Sequence, residues 1–252
     1  MDGLRSEIAG GVATVTIDNP GKRNAMNAAM WRAMPDLLGG LANDPAVRIL
    51  VLTGAGEHFC AGADISELSA TTRRDSRHLS VAAENAVATF PKPTIAAIRG
   101  FCVGGGCQLA HACDVRIAEA GSRFAITPAK IGIVYPPSAI RRLVTLVGPA
   151  SAKYLLYSAD LIDADHALRM GLLSETVPDL DTRIASFTAT LLSRSQLTHE
   201  ASKDLVDGLV DGTLTDERVE GWLDAVVAGP DAAEGIASFL ERRPPVFTWV
   251  RH

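Results

Sequence analysis

Two short apolar runs, each followed by a glycine-rich turn, constrain the fold of this chain most strongly. Residues 49–53 read ILVLT and residues 94–98 read TIAAI, and polar residues do not alternate with apolar ones in either run. Runs of this kind are typical of strands buried on both faces, as in a parallel sheet. Segments with helical spacing separate them, and residues 115–118 form a third candidate strand. The alternation predicts an α/β layered fold with right-handed β-α-β crossovers.

The remaining segments supply a hairpin and several helices. Apolar and polar residues alternate on either side of Gly10 and Gly11, which is the pattern of a β-hairpin. Asn27 precedes a run with helical spacing and is predicted to be its N-cap. After about residue 150 the spacing is mainly helical. The predicted boundaries are 7–18 for the hairpin, 27–41 and 82–90 for two helices, a helix start near Gly106, and 174–177 for a last strand.

Composition narrows the class of protein. The 252 residues are 47% hydrophobic and 21% charged, enough to bury a sizeable core. A net charge of -5 offers no general basic surface for nucleic acid or an anionic membrane. No apolar run approaches the roughly 20 residues of a membrane helix, and the first residues lack the features of a signal peptide. We therefore expect a cytoplasmic protein with no nucleic-acid or membrane partner.

The cysteines and histidines show no metal-ligand spacing. CxxC, HxxxH and HExxH are all absent near the four cysteines, whose neighbours are small and apolar. We expect no metal site and buried, reduced thiols at Cys60, Cys102, Cys107 and Cys113.

The turns after the two apolar runs are candidate sites for a negative charge. They read CAGAD over residues 60–64 and VGGGC over residues 103–107. The first amides of a helix have no intrahelical acceptor and lie at the positive end of its dipole, so each turn is suited to an anion. Two such turns facing one point would stabilise an enolate formed from a carbonyl. The alternative is that the glycines only allow close packing of helix on strand. Neither a P-loop nor a complete GxGxxG motif is present.

Motifs along nearly the whole chain resemble the crotonase (enoyl-CoA hydratase/isomerase) superfamily. The matching pieces are, in order, NPGKRNAMN, HFCAGADISEL, PKPTIAAIRGFCVGGGCQLAHACDVRIA, FAITPAKIGI and VGPASAKYLLYSADLIDADHALRMGLLSETV. The resemblance implies a spiral of β-β-α turns and a helical C-terminal segment that assembles trimers or paired trimers. We expect the spiral core over residues 1–195 and the oligomerisation segment over residues 196–252.

The resemblance also implies a ligand. Members of the superfamily hold the carbonyl oxygen of an acyl-CoA thioester between two backbone N–H groups, with no permanently bound cofactor. By position, these donors fall on Ala63 and Gly105. As alternatives, the cations of the NPGKRNA segment either lie near the phosphates or belong to a solvated turn. The implied contacts to coenzyme A are Lys22, Arg23, Ala25, Ala61, Asp64, Ile65 and Gly104.

Two positions depart from the hydratases of the superfamily, which use two glutamates to position and activate water. The first position is Gln108, whose amide cannot act as a general base at neutral pH, and the second is Pro128. Residues 121–140 contain no Asp or Glu, which also argues against a single-acid isomerase or a dehalogenase with an Asp nucleophile. The usual two-glutamate hydration is therefore not expected.

The segment FAITPAKIGIVYPPS is instead similar to the FxMTPxxLGxPY segment of methylmalonyl-CoA decarboxylase-like members. Thr127 and Tyr135 fall on polar positions used there. Decarboxylation of a malonyl-type thioester needs an oxyanion hole more than a strong base. Together with Gln108, these side chains would orient the departing carboxylate or assist protonation. One position departs from this resemblance, because the decarboxylase has a His where this chain has Ala63.

Three functions stay open from the sequence. A decarboxylase-like lyase acting on a carboxyacyl-CoA is favoured, and the alternatives are a hydratase or isomerase with a non-standard base and a non-catalytic acyl-CoA-binding protein.

Each polar side chain near the turns also has a structural interpretation. Tyr135 is then a core aromatic, Thr127 a helix N-cap ahead of a proline, and Gln108 a satisfied polar residue on a first helical turn. Asp64 and Glu67 are expected on the helix after the first turn, where acids favour the dipole. Structural roles are expected for His58 and His111.

Overall fold

The computed structural model describes residues 3–64, 66 and 73–251, without the side chains of residues 73–76. Its strands are β1 (Leu4–Ala9), β2 (Val12–Ile17), β3 (Ile49–Gly54), β4 (Thr94–Ile98), β5 (Phe101–Val103), β6 (Val115–Glu119), β7 (Arg123–Ala125), β8 (Ile162–Asp163) and β9 (Glu175–Val177). Its α-helices are α1 (Ala28–Asn43), α2 (Arg73–Ala88), α3 (Gly105–Ala112), α4 (Pro137–Ser158), α5 (Ala164–Arg169), α6 (Leu180–Leu192), α7 (Gln196–Asp211), α8 (Asp216–Ala228) and α9 (Asp231–Glu241). None of the helices in these ranges is both long and apolar enough to cross a membrane.

The strands form two sheets. The larger sheet has the order β1-β2-β3-β4-β6-β9 and the smaller one the order β5-β7-β8. β1 and β2 pair antiparallel, which confirms the predicted hairpin. From β2 to β9 the neighbouring strands are parallel, which confirms the parallel sheet expected from the apolar runs.

Helices cover both faces of the larger sheet, which explains why its central strands lack polar alternation. On one face, α1 contributes Met30, Met34 and Leu38 to the main core. On the other, Ile184 and Phe187 of α6 pack against side chains of β3 and β4. Nearly every residue of these two strands is buried.

Two successive strand pairs cross from the larger sheet to the smaller one before a helix begins. β4 is followed by β5 and then α3, and β6 is followed by β7 and then α4. Gly100, between β4 and β5, has a φ of 55°, and a Cβ there would lie 2.1 Å from the Glu57 carbonyl oxygen. Glycine is required there because the chain turns sharply against another backbone segment.

The predicted helices are present, with some shifted boundaries. Asn27 caps α1 as predicted, and its side chain accepts a hydrogen bond from Met30 N at 2.8 Å. α2 begins at Arg73, before the predicted range 82–90. The prediction missed its first half because those residues are mostly polar and show no apolar periodicity. The four cysteines are buried and free, as expected. Burial raises the pKa of the Cys60 thiol to about 12, so this thiol stays protonated at neutral pH.

We predict that Gly106 is essential for the close packing of α3 against the backbone at Cys60. A Cβ on Gly106 would lie 2.3 Å from the Cys60 carbonyl oxygen, so Gly106→Ala forces two backbone segments apart. We expect it to lower the free energy of unfolding by roughly 1–3 kcal/mol in urea denaturation. The matched control is Gly40→Ala in α1, where a Cβ has no neighbour within 4 Å. That change should raise stability by about 0.5–1 kcal/mol, and equal effects of the two changes would contradict the packing.

Candidate active site

A cavity of about 530 Å³ lies where the two glycine-rich turns meet. Its apolar wall includes Trp31 of α1 and the segment from Pro128 to Pro136. Its polar lining is provided by Asp64, Arg77, Ser80, Gln108, Thr127 and Tyr135. A pocket with this mixture of apolar wall and few polar groups is typical of a small-molecule site.

Ala63 and Gly105 sit side by side on this wall. A Cβ on Gly105 would lie 3.2 Å from Ala63 N, and a Cβ on Gly62 would lie 3.5 Å from Gly105 N. Neither N–H donates a hydrogen bond to another backbone group among the residues that the structure describes. The two turns therefore adjoin, as expected, and place two free backbone donors next to the cavity.

The N–H of Ala63 is free because the residues on either side of it pair with Met26 as in a strand, and not because a helix begins there. Met26 N donates to the Gly62 carbonyl oxygen at 2.8 Å, and Asp64 N donates to the Met26 carbonyl oxygen at 2.9 Å. Because backbone groups of an extended segment point alternately to opposite sides, the N–H between these two bonds points away from Met26. Asp64 was expected on the helix after this turn, but it lies outside any helix or strand. Glu67 lies outside the described residues.

The N–H of Gly105 is free because it begins α3. Gly104 precedes it with a φ of 54° and donates its own N–H to the Ala125 carbonyl oxygen at 2.8 Å. The first amide of the helix therefore faces the cavity with the positive end of the helix dipole behind it. A Cβ on Gly105 would lie 2.9 Å from the Trp31 ring. The packing role of the glycine run thus falls mainly on Gly106, and the donor role on Gly105.

Gln108 belongs to a buried hydrogen-bond network as well as to the cavity wall. Its Nε2 donates to Glu84 Oε2 at 2.9 Å and lies 3.5 Å from Ser80 Oγ. Glu84 is fully buried and also accepts from Ser138 Oγ at 2.8 Å and from Arg142 Nη1. A carboxylate without solvent is stabilised only by such charge-assisted partners. Sequence reasoning missed Glu84, although an acid on the apolar face of α2 was the available signal.

The hydroxyl groups of Tyr135 and Thr127 both reach the cavity. Tyr135 is buried, its OH donates to the Gly104 carbonyl oxygen at 2.9 Å, and burial raises its pKa well above the ordinary value. Its proton is therefore already engaged beside the second turn. Thr127 occupies the N-cap position of a 3-10 helix over Pro128–Lys130 but makes no side-chain capping bond. The expected capping bond is therefore absent, and Thr127 has φ -98° and ψ 6° instead of the extended backbone typical of an N-cap residue.

Three of the implied coenzyme A contacts, Ala61, Asp64 and Gly104, line the cavity. Ala61 N donates to the Arg23 carbonyl oxygen at 3.0 Å, and Ala61 and Asp64 line the cavity. Arg23 has a φ of 51° and its guanidinium lies 5.3 Å from the centroid of the Phe101 ring. Ala25 is buried, and its N–H donates to the Lys22 carbonyl oxygen at 3.1 Å. Gly104 lies at the second turn. Ile65 lies outside the described residues.

Lys22 is not a free cation in this structure. Its Nζ lies 2.5 Å from Asp64 Oδ2 and 2.9 Å from Ser66 Oγ. The hydrogen bond from Lys22 is the main cause of a lowered pKa of Asp64, and Ser66 adds to it. Asp64 is therefore ionised at neutral pH and its charge is compensated.

The two histidines named from the sequence lie away from the cavity. His58 Nδ1 accepts a hydrogen bond from Phe101 N at 3.4 Å, and its ring packs against Phe101. His111 is buried, and desolvation lowers its pKa to about 3, so it is neutral.

A larger cavity of about 740 Å³ lies between the core and α7, on a different part of the surface. Its charged side chains are largely paired with one another, as in Lys203 with Asp114 and Arg218 with Asp204. Among the described residues that line it, the one glycine is Gly208 within α7, so no glycine turn opens onto it and the smaller cavity is the better candidate for chemistry.

Comparison with known proteins assigns the family. The family model of enoyl-CoA hydratase/isomerase matches residues 7–249. A crotonyl-CoA hydratase from Syntrophomonas wolfei is 36% identical over 247 residues, which cover 94% of each chain. A 2,3-dehydroadipyl-CoA hydratase from Escherichia coli is 33% identical over 246 residues, again with 94% coverage of both. A crystal structure of an enoyl-CoA hydratase/isomerase family member superposes with a TM-score of 0.94 at 38% identity, over 99% of each chain.

The chain therefore belongs to the enoyl-CoA hydratase/isomerase family, within the crotonase superfamily, and has the crotonase fold. The resemblance seen in the sequence motifs is confirmed at this level. The roles of individual site residues stay predictions.

The ion pair at the cavity edge predicts a pH dependence of stability. A carboxyl whose pKa is lowered on folding stabilises the fold above its ordinary pKa of about 4 and loses this contribution as the pH falls through the lower, folded value. We therefore expect the free energy of unfolding to fall less steeply below pH 4 in Asp64→Asn than in the wild type. Lys22→Met should reduce the slope similarly, and unchanged slopes in both variants would contradict the pairing.

Proposed function

We propose that the protein binds an acyl-CoA thioester with its carbonyl oxygen between Ala63 N–H and Gly105 N–H. The adjoining positions of these two free donors support the proposal. Backbone donors held rigidly in a site with little water stabilise an oxyanion because they need no reorganisation when the charge develops. Relatives whose names specify CoA esters make the thioester the expected substrate.

We propose further that the enolate arises by loss of CO₂ from a carboxyacyl-CoA. One observation carries this step: among the described residues that line the cavity, the only carboxylate is Asp64, and Lys22 and Ser66 hold it. Among the described residues, no free base is therefore placed in the cavity to remove a proton. In decarboxylation the bond between the α-carbon and the carboxylate breaks, and its electron pair forms the enolate. Water then supplies the proton to the α-carbon.

Two side chains on the cavity wall are suited to hold the departing carboxylate. Arg77 is exposed, lines the cavity and forms no ion pair with a described residue. Thr127 adds a hydroxyl that no capping bond engages. Arginine and a hydroxyl are effective partners for a carboxylate because both donate hydrogen bonds to it. The hydroxyl proton of Tyr135 and the amide protons of Gln108 are already engaged elsewhere.

A hydratase or isomerase is the second candidate, and the names of the relatives favour it. The relatives compared above are called hydratases, not decarboxylases. Such a reaction needs a base other than Gln108 and Pro128, and Glu67, three residues after Asp64 of the first turn, is a candidate for it. Binding without turnover is the third candidate.

The proposal includes the residues that contact coenzyme A and the segment through which subunits associate. Lys22, after release from Asp64, and Arg23 would contact the phosphates. The segment over residues 196–252 would form trimers or paired trimers. Its helices support this because they expose large apolar side chains that a neighbouring subunit can cover, namely Val206, Leu209, Val227, Ile236, Phe239 and Leu240.

A turnover screen separates the three candidates. Malonyl-CoA, methylmalonyl-CoA and crotonyl-CoA are incubated with the protein, and the products are identified by mass spectrometry. We expect loss of CO₂ from at least one carboxyacyl ester and no hydration of crotonyl-CoA. Hydration that survives Asp64→Asn and is abolished by Glu67→Gln would replace our proposal with the second candidate. Binding in calorimetry without any product would replace it with the third.

A matched pair of substitutions tests the oxyanion donor. Gly105→Pro and Gly105→Ala both place a Cβ against Trp31, but only proline removes the N–H. Proline is tolerated at the first position of a helix, so the fold should survive. We expect turnover to be roughly 100- to 1000-fold lower in the proline variant than in the alanine variant. Equal turnover in the two folded variants would contradict the assignment of Gly105.

A further inference from the structure

The orientation of the Gln108 amide is fixed by its neighbour. Glu84 Oε2 accepts a hydrogen bond from Gln108 Nε2 at 2.9 Å, while Arg142 and Ser138 donate to the same carboxylate. A carboxylate held in this way only accepts hydrogen bonds, so the NH₂ group of the amide must face it. The oxygen Oε1 is then the amide atom turned away from Glu84.

Gln108 Oε1 meets the cavity. Gln108 lines the cavity, and in the described part of the chain no donor is bonded to Oε1. Oε1 is also not among the described buried polar atoms that lack a partner, as expected for an atom that faces the cavity. The cavity therefore contacts a hydrogen-bond acceptor at position 108.

Three helices hold this arrangement. Glu84 belongs to α2, Gln108 to α3, and both Ser138 and Arg142 to α4. Glu84 is fully buried and the Arg142 side chain is 18% exposed, so solvent competes little with these bonds. Charge-assisted hydrogen bonds that are shielded from solvent hold their partners rigidly. The amide thus has one orientation before any ligand arrives.

We propose that Glu84 is a positioning residue that fixes Gln108 as an acceptor, so that the cavity selects acyl groups carrying an O–H donor. An aliphatic chain that covers Oε1 strips it of water and leaves it unsatisfied, which carries a penalty. A hydroxyl on the acyl chain satisfies it. A carboxylate at the same place is repelled, so the carboxylate of a carboxyacyl group is directed to the side of Arg77 and Thr127. The inference rests on the proposed function only in that the acyl group occupies this cavity.

Calorimetry with two CoA esters tests the selection. Butyryl-CoA and each enantiomer of 3-hydroxybutyryl-CoA differ by one hydroxyl and need no turnover. We expect one hydroxy enantiomer to bind the wild type about three- to tenfold more tightly than butyryl-CoA, as one neutral hydrogen bond allows. In Gln108→Met, which keeps the length of the side chain, this ratio should fall to about one while butyryl-CoA binds as well as before or better.

Glu84→Gln tests the positioning role. The amide introduced at position 84 can donate to Gln108 Oε1, so the Gln108 amide is free to flip. The affinity ratio should therefore also fall in this variant. A purely structural role of Glu84 would weaken all esters equally and leave the ratio unchanged, which would overturn the inference. A wild-type ratio of one would overturn it as well. Absence of binding by every ester would overturn the proposed acyl-CoA site itself, a result distinct from equal affinities.

A stability cycle tests the contact without any ligand. Gln108→Glu places a second carboxylate against Glu84 in a buried site, which is unfavourable for two like charges. We expect the Tm of this variant to fall by at least about 4 °C. Adding Glu84→Gln should restore most of the loss, because one carboxylate and one amide again face each other. No recovery in the double variant would overturn the pairing on which the inference depends.

Discussion

The pairing of residue 60 with residue 102 is the interaction on which the candidate site depends. Cys60 N donates to the Phe101 carbonyl oxygen, and Val103 N donates to the Cys60 carbonyl oxygen, each at 2.9 Å. This short parallel bridge joins the chain after β3 to β5 of the smaller sheet. Both glycine-rich turns begin directly after it, so they emerge next to each other. Without it, two amides far apart in the sequence would not converge on one point.

The two donors reach this point by different routes. Ala63 has a free N–H because its neighbours pair with Met26, and Gly105 has one because a helix begins there. The first is fixed by extended backbone and the second by a helix whose dipole adds positive charge. Both are main-chain groups, so their positions depend on the fold and not on a side-chain rotamer. Side-chain chemistry around them can then vary while the positions of the two backbone donors are preserved.

The sequence predicted the centre of the larger sheet well because those strands are long enough to carry a pattern. Residues 94–98 were predicted with the observed boundaries, and the run at 49–53 extends by only one residue. β5, β7 and β8 were missed because strands of two or three residues carry little pattern, although the three-residue β9 was predicted at 174–177. These short strands form the smaller sheet, which positions the second turn. That part of the fold could be predicted only from the resemblance to the superfamily.

Only part of the candidate site could be predicted from the sequence. The two turns were recognised from the residues, whereas the donors at Ala63 and Gly105 and the departure at Gln108 came from the resemblance to the superfamily. Glu84 was not found, because its partners lie on helices distant in the sequence and only the tertiary packing of α2, α3 and α4 brings them together. We therefore interpret Gln108 as a hydrogen-bond acceptor of fixed orientation, and not only as a position where the usual base is missing.

The central claim is that two backbone N–H groups polarise the carbonyl of a bound thioester. Infrared difference spectroscopy of butyryl-CoA carrying a ¹³C label at the thioester carbonyl measures this polarisation directly. Hydrogen bonds to a carbonyl oxygen weaken the C=O bond and lower its stretching frequency. The account predicts that the bound ester absorbs at a lower frequency than the same ester in buffer. A band at the frequency of the free ester, or above it, would contradict the oxyanion site at Ala63 and Gly105.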